Sequence, residues 1–133
     1  GVKFYIDDCF LTFWFRFVES NRSMVELGKY ELLEEFLRRE YVQYSGVVLE
    51  KYFRQLYGEQ ERVTEVSNWW DSKGENEIDL IALQRLDKRA TVAEVKRNPQ
   101  KYNPELLAQK FQIIKPHLKG YSVELRSLSM EDM

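Results

Sequence analysis

Glu77-Ile78-Asp79-Leu80-Ile81-Ala82-Leu83 and, one short loop later, Thr91-Val92-Ala93-Glu94-Val95-Lys96 decide how this chain is read, because each is an apolar, strand-like run with charges inside it. Apolar neighbours on both sides of Asp79 are the pattern of a central strand covered on both faces, where an isolated carboxylate is expensive unless it is paired or binds a cation. Glu94 and Lys96 stand two positions apart, so on a strand both project to one face, roughly 6.6 Å apart. Charges gathered in this way have two explanations, a structural ion-pair network inside a sheet or a metal site.

Working outward, the period stays at two. Arg62 to Trp70 reads as a strand, Asp71-Ser72-Lys73-Gly74-Glu75-Asn76 as a turn, and Arg85 to Arg89 as the loop between the two charged runs, so three strands form a meander. Asn103 as N-cap with Pro104 at the first helical position opens a helix through about Ile114, stopped near Pro116. Gly120 introduces a last strand, Tyr121 to Leu128, ahead of the polar tail Met130 to Met133. Trp69 and Trp70 read as a core and rim pair rather than a base-stacking platform, and His117 as a surface loop residue.

On the N-terminal side of the meander, a helix is expected from Gly46 to Tyr57, with Ser45 as N-cap and Gly58 as its end. Leu49, Tyr52, Phe53, Leu56 and Tyr57 form its apolar stripe, and Glu50 falls at the stripe's edge. Further back, Lys3 to Ile6 reads as a short strand, and Asp7 or Asp8 as the cap of a helix through about Val18. Only Thr12 and Arg16 interrupt its apolar run from Phe10, so this helix has to be covered by the domain or by something else. The chain opens directly into this element, which points to a C-terminal piece of a longer protein. Ser23 to Glu40 is polar and helix-prone, with Gly28 as its break.

Composition narrows the function classes. A chain of 133 residues that is 44% hydrophobic suffices for one domain with a real core. A formal net charge of −2 gives no global basic field, so nucleic-acid affinity has to come from a patch. One is visible from Glu94 to Arg126, where seven cations face three carboxylates, whereas Glu19 to Glu61 is net acidic. One cysteine, Cys9, and one histidine, His117, exclude a disulfide frame, a Cys/His zinc site and a two-histidine nuclease site, and fit a reducing, cytoplasmic setting. The run Phe10 to Val18 is too short to span a bilayer and has neither the basic flank nor the cleavage site of a signal peptide, so no membrane is expected.

A helix carrying Glu50, strands carrying Asp79 and then, after a fourteen-residue gap, Glu94-x-Lys96, followed by a helix and a strand, resembles the PD-(D/E)xK superfamily of restriction-endonuclease-like nucleases. Tyr5-Ile6-x-Asp8-x-Phe10-Leu11-x-Phe13-Trp14-Phe15-Arg16-Phe17-Val18, Gly46-x-x-Leu49-Glu50, Trp69-Trp70, Glu77-Ile78-Asp79 and Glu94-Val95-Lys96 are together similar to the C-terminal domain of the archaeal-type predicted ATPases. In that family a P-loop ATPase and a winged-helix region precede the nuclease-like part. Two departures are Ile78, not Pro, before Asp79, and Arg97 where an aromatic residue is expected.

The resemblance implies an α/β (α+β) fold: a restriction-endonuclease-like core over 45–133, with a mixed central sheet flanked by helices, and a helical extension over 1–44 that meets the ATPase and winged-helix parts. Lys3 to Ile6 would be the last strand of the winged region. This chain has no Gly-x-x-x-x-Gly-Lys-Ser/Thr, so the ATP site lies outside it. The activity implied is phosphodiester hydrolysis in DNA, with Asp79 and Glu94 as ligands of Mg²⁺ or Mn²⁺, the Val95 carbonyl as a third, and Glu50 completing the site directly or through a bound water. Lys96 would orient or deprotonate the attacking water, as suits a partly buried amine. Lys101, Gln109 and Lys110 would touch the DNA backbone. The alternative is an inactive nuclease-like module that binds DNA or protein and docks on the ATPase through the apolar N-terminal helix; an exposed patch of Phe10, Phe13, Trp14 and Phe17 would support docking or self-association as a homodimer.

Overall fold

A computed structural model describes residues 2–133, with side chains from Asp8 onward. In chain order the elements are α1 (Val2–Ser20), α2 (Arg22–Glu26), α3 (Tyr30–Gly58), β1 (Glu65–Trp70), β2 (Glu77–Gln84), β3 (Arg89–Val95), α4 (Pro104–Ile114) and β4 (Ser122–Leu128). Contacts divide the chain into two compact units, Gly1–Val48 and Leu49–Met133. Among the described residues, no helix is long and apolar enough to cross a membrane.

The second unit is a mixed sheet in the order β1-β2-β3-β4, with helices against it. β1, β2 and β3 are antiparallel neighbours, the meander expected from the turn residues, while β4 runs parallel to β3. Parallel neighbours cannot be joined by a tight turn, and α4 lies in the crossover between them. Asn103 caps that helix, its side-chain oxygen accepting from the Leu106 N–H at 3.2 Å, with Pro104 next in line.

Apolar residues sort by face. Leu80, Ala82, Ala93, Val95 and Leu128 pack with Leu49, Phe53 and Tyr57 of α3. Ile78, Ile81, Ala90 and Val92 pack with Leu107 and Ile114 of α4 and with Leu118. Ile78 and Ile81 share a cluster although three positions separate them, which strict alternation forbids. Strand register supplies the reason: Ser67 pairs with Ile81 and Trp69 with Ile78, so β2 uses one residue more than β1 over the same span. The extra residue makes a bulge at Asp79-Leu80, and bulges re-aim side chains.

The first unit is helical. Phe13 and Phe17 are its buried anchors; Phe13 stacks on Tyr44 with ring centroids 4.8 Å apart, and Phe10 stacks on Tyr41 at 6.1 Å. The Tyr44 hydroxyl donates to the Cys9 carbonyl. The Asn21 side chain donates to the Phe17 carbonyl at 2.8 Å, closing the end of α1. Gly28, at φ +68°, makes the break between α2 and α3 that its position suggested.

Two expectations are corrected. Lys3 to Ile6 is not a strand, since α1 already starts at Val2 and neither Asp7 nor Asp8 caps it. Extending an existing helix needs no new nucleus, whereas a four-residue strand needs a partner, and the sheet has none for it. No helix starts at Gly46 either: α3 runs unbroken from Tyr30 to Gly58. Ser45 does not cap, because its hydroxyl donates back to the Val42 carbonyl at 3.2 Å, the mid-helix option open to serine.

Candidate functional site

At the bulge of β2, the Asp79 Oδ2 accepts from the Val95 N–H at 2.8 Å. The Glu94 carboxyl is the acidic neighbour that acts on Asp79 most directly. Both residues are buried, at 8% and 5% exposure. Burial is the main force raising the Asp79 pKa above the usual carboxylate range; the neighbouring Glu94 carboxyl adds to it, while the Val95 N–H and the Lys96 charge oppose it. Glu94 has a second partner, the Lys110 ammonium, 2.7 Å from Oε1. This ion pair is nearly closed to solvent, with side-chain exposures of 12% for Lys110 and 6% for Glu94.

Glu50, on the first turn that α3 gives to the second unit, joins electrostatically. Its pKa is raised to about 7, first by burial and then by the Asp79 charge, against the pull of Arg54 and Lys96. Arg54, one turn along, lies 3.9 Å from the Glu50 Oε2 and donates to the Asp79 backbone carbonyl at 3.5 Å. Lys96 follows the last residue of β3; its N–H donates to the Leu128 carbonyl, and its charge acts on both Asp79 and Glu50. The partial burial expected of Lys96 is absent: the residue is exposed, so the desolvation argument for an amine that removes a proton from water falls away.

The four residues are thus linked by charge: Glu94 and Lys96 act on Asp79, and Asp79 and Lys96 act on Glu50. Lys101 and Gln109 are exposed, while Lys110 is turned inward to Glu94 instead of standing free toward solvent. Arg54 escaped the sequence reading, and Lys110 entered it as a DNA contact rather than as the partner of Glu94. Arg54 sits at i+4 from Glu50, an ion-pair spacing. Lys110 falls on the inner stripe of α4 with Leu107, Phe111 and Ile114, where a cation has to meet a buried acid.

Among the described residues, no group of three or more His, Cys, Asp or Glu side chains could hold a metal. What the site offers is two neighbouring carboxylates. Hard oxygen donors of this kind fit Mg²⁺, which keeps several waters and often takes only one or two protein carboxylates. A divalent ion would also relieve the repulsion between the two acids.

Fold and site define a mixed α+β domain, a four-stranded sheet with flanking helices and a helical N-terminal segment, holding an acid pair at a strand bulge. The chain belongs to the DUF234 family, described as archaea bacterial proteins of unknown function, whose profile matches residues 14–105. It is similar to an uncharacterized protein of Methanocaldococcus jannaschii, 37% identical over 101 residues, which is 71% of this chain and 22% of that protein. The chain therefore spans about a fifth of that relative's length. No solved structure matches it.

Proposed function

We propose that this chain is a Mg²⁺- or Mn²⁺-dependent DNA endonuclease domain of the PD-(D/E)xK, restriction-endonuclease-like type, working as the effector part of a larger P-loop ATPase. The observation that carries this reading is the buried pair of neighbouring carboxyls, Asp79 and Glu94, at the bulge, with the Lys96 charge acting on Asp79 and the Asp79 and Lys96 charges acting on Glu50. The greater length of the archaeal relative supports a larger protein.

Asp79 and Glu94 would hold the cation, with the Val95 carbonyl as a further oxygen. When bound, Mg²⁺ supplies Lewis acidity toward the phosphate and acidifies water. Glu50, with a pKa near 7, is suited to accept the proton that attacking water loses at neutral pH. Lys96 faces solvent from beside the acids, where its ammonium can orient that water and meet a phosphate oxygen. As the new P–O bond forms, the bond to the leaving sugar oxygen breaks, and that oxygen is protonated from solvent. Lys101 and Gln109 are exposed and free to contact the backbone of DNA, which positions the strand without reading its sequence.

Plasmid nicking with Mg²⁺ or Mn²⁺ tests the proposal. Wild type should nick only with the divalent ion, Asp79→Ala should lose the activity, and Lys96→Ala should lose about two orders of magnitude or more. Equal nicking by all three proteins would point to contamination and end the reading. A second reading has one observation in its favour: Lys110 already neutralises Glu94, so the cluster is satisfied as a structural network. A non-catalytic binding module built on it would bind DNA without divalent ions and show no metal-dependent thermal shift.

A further inference from the structure

We propose that Lys110 is a resident counter-cation that competes with the divalent ion for Glu94, so that loading of the site requires the Lys110 ammonium to swing away. This rests on the metal-site reading above. The geometry is one of occupied lone pairs: Glu94 Oε1 holds the Lys110 ammonium at 2.7 Å, and Asp79 Oδ2 holds the Val95 N–H at 2.8 Å. One oxygen of each carboxyl is thus already engaged, and on Glu94 the partner is itself a cation.

Charge makes the exchange obligatory. Two carboxylates and a divalent ion are neutral together; retaining the ammonium against Glu94 would leave an unbalanced positive charge beside the ion in a buried place. Lys110 can yield because its charge ends a flexible four-carbon stem, which stays packed while the head turns outward. The displaced ammonium then lies next to the site, free to meet an anion. Lys110 is thus a positioning residue: it keeps the acid pair assembled without metal and leaves Glu94 when metal arrives.

The test is calorimetric titration of Mn²⁺ alone into the full chain, comparing wild type, Lys110→Met and Lys110→Arg at neutral pH. Removing the competitor should tighten Mn²⁺ binding about tenfold or more in Lys110→Met, while Lys110→Arg stays near wild type. Wild type that binds Mn²⁺ with Lys110→Met equal or weaker would overturn the competition and leave the metal site standing. No binding by any of the three would overturn the metal site and the competition with it. Should Lys110→Met fail to fold, wild type answers alone: in lysine-labelled protein titrated with Mg²⁺, the Lys110 side-chain signal, assigned through Lys110→Arg, should shift in step with saturation. A Lys110 signal that stays fixed at saturation would overturn the proposal.

Discussion

In α1 the side chains of Leu11, Trp14, Phe15 and Val18 are exposed, Phe15 at 73%, whereas in β2 and β3 the carboxyls of Asp79 and Glu94 are buried. Each region departs from the expectation of apolar inside and charged outside, in opposite senses, and the physical consequences differ. Apolar surface in water is ordinary and loses only the hydrophobic gain it forgoes. A buried carboxyl cannot be left alone, and each of the two has a partner: Asp79 has the Val95 N–H, Glu94 has Lys110, and Arg54 reaches from Glu50 to the Asp79 carbonyl. The first departure leaves no trace in bonding; the second organises one end of the sheet.

That contrast fixes where substitutions should matter. Lys110→Met strands Glu94 without its cation and should cost about 3 kcal/mol in urea unfolding without divalent ions; adding Glu94→Leu should recover most of it, because an apolar pair replaces a buried ion pair at little loss. If the single substitution is neutral, the pair is not buried in the sense claimed.

pH should separate the regions next. Glu50 has a folded pKa near 7 against an ordinary value of 4.5, so the folded chain binds more protons than the unfolded one between these values. Its contribution is therefore complete below about pH 4.5 and lost as pH rises through 7, and Asp79, also raised, acts in the same direction. Without divalent ions, thermal stability should fall between pH 5 and pH 8, and Glu50→Gln should flatten the decline; an unchanged slope in that variant would remove Glu50 from the cluster.

Smaller effects test α3 and α1. Gly46 lies inside a continuous helix with open space where a Cβ would stand, so Gly46→Ala should stabilise by about 0.5–1 kcal/mol, whereas a loss would favour a helix start there. Phe15→Ser on the exposed face of α1 should change stability by no more than about 0.5 kcal/mol by the same urea assay. A larger loss would mean that Phe15 is covered in solution.

Much of the second unit was legible because its signals are local. The turn Asp71 to Asn76, the Asn103-Pro104 helix start and the Gly120 strand start each sit beside the element they delimit, and β2, β3, α4 and β4 lie within two residues of their expected bounds. The acid pair was legible too, since charges in apolar strands stand out. What failed depends on choices that local pattern does not record. Ser45 has the same chemistry as a cap and as a back-bonding mid-helix residue, and the helix on both sides of it decides. The bulge at Asp79 exists only relative to the register of β1. Lys110 belongs to a basic segment whose composition suggests a surface toward DNA, whereas its spacing with Leu107, Phe111 and Ile114 places it inward against Glu94.

The most direct test of the central claim is an anomalous map from crystals of this chain soaked in Mn²⁺ at pH 8. The account expects one peak between Asp79 and Glu94, at about 2.1 Å from an oxygen of each, as for a hard octahedral cation, with Lys110 withdrawn from Glu94. A map without a peak there, with the 2.7 Å Lys110 to Glu94 contact intact, would contradict it.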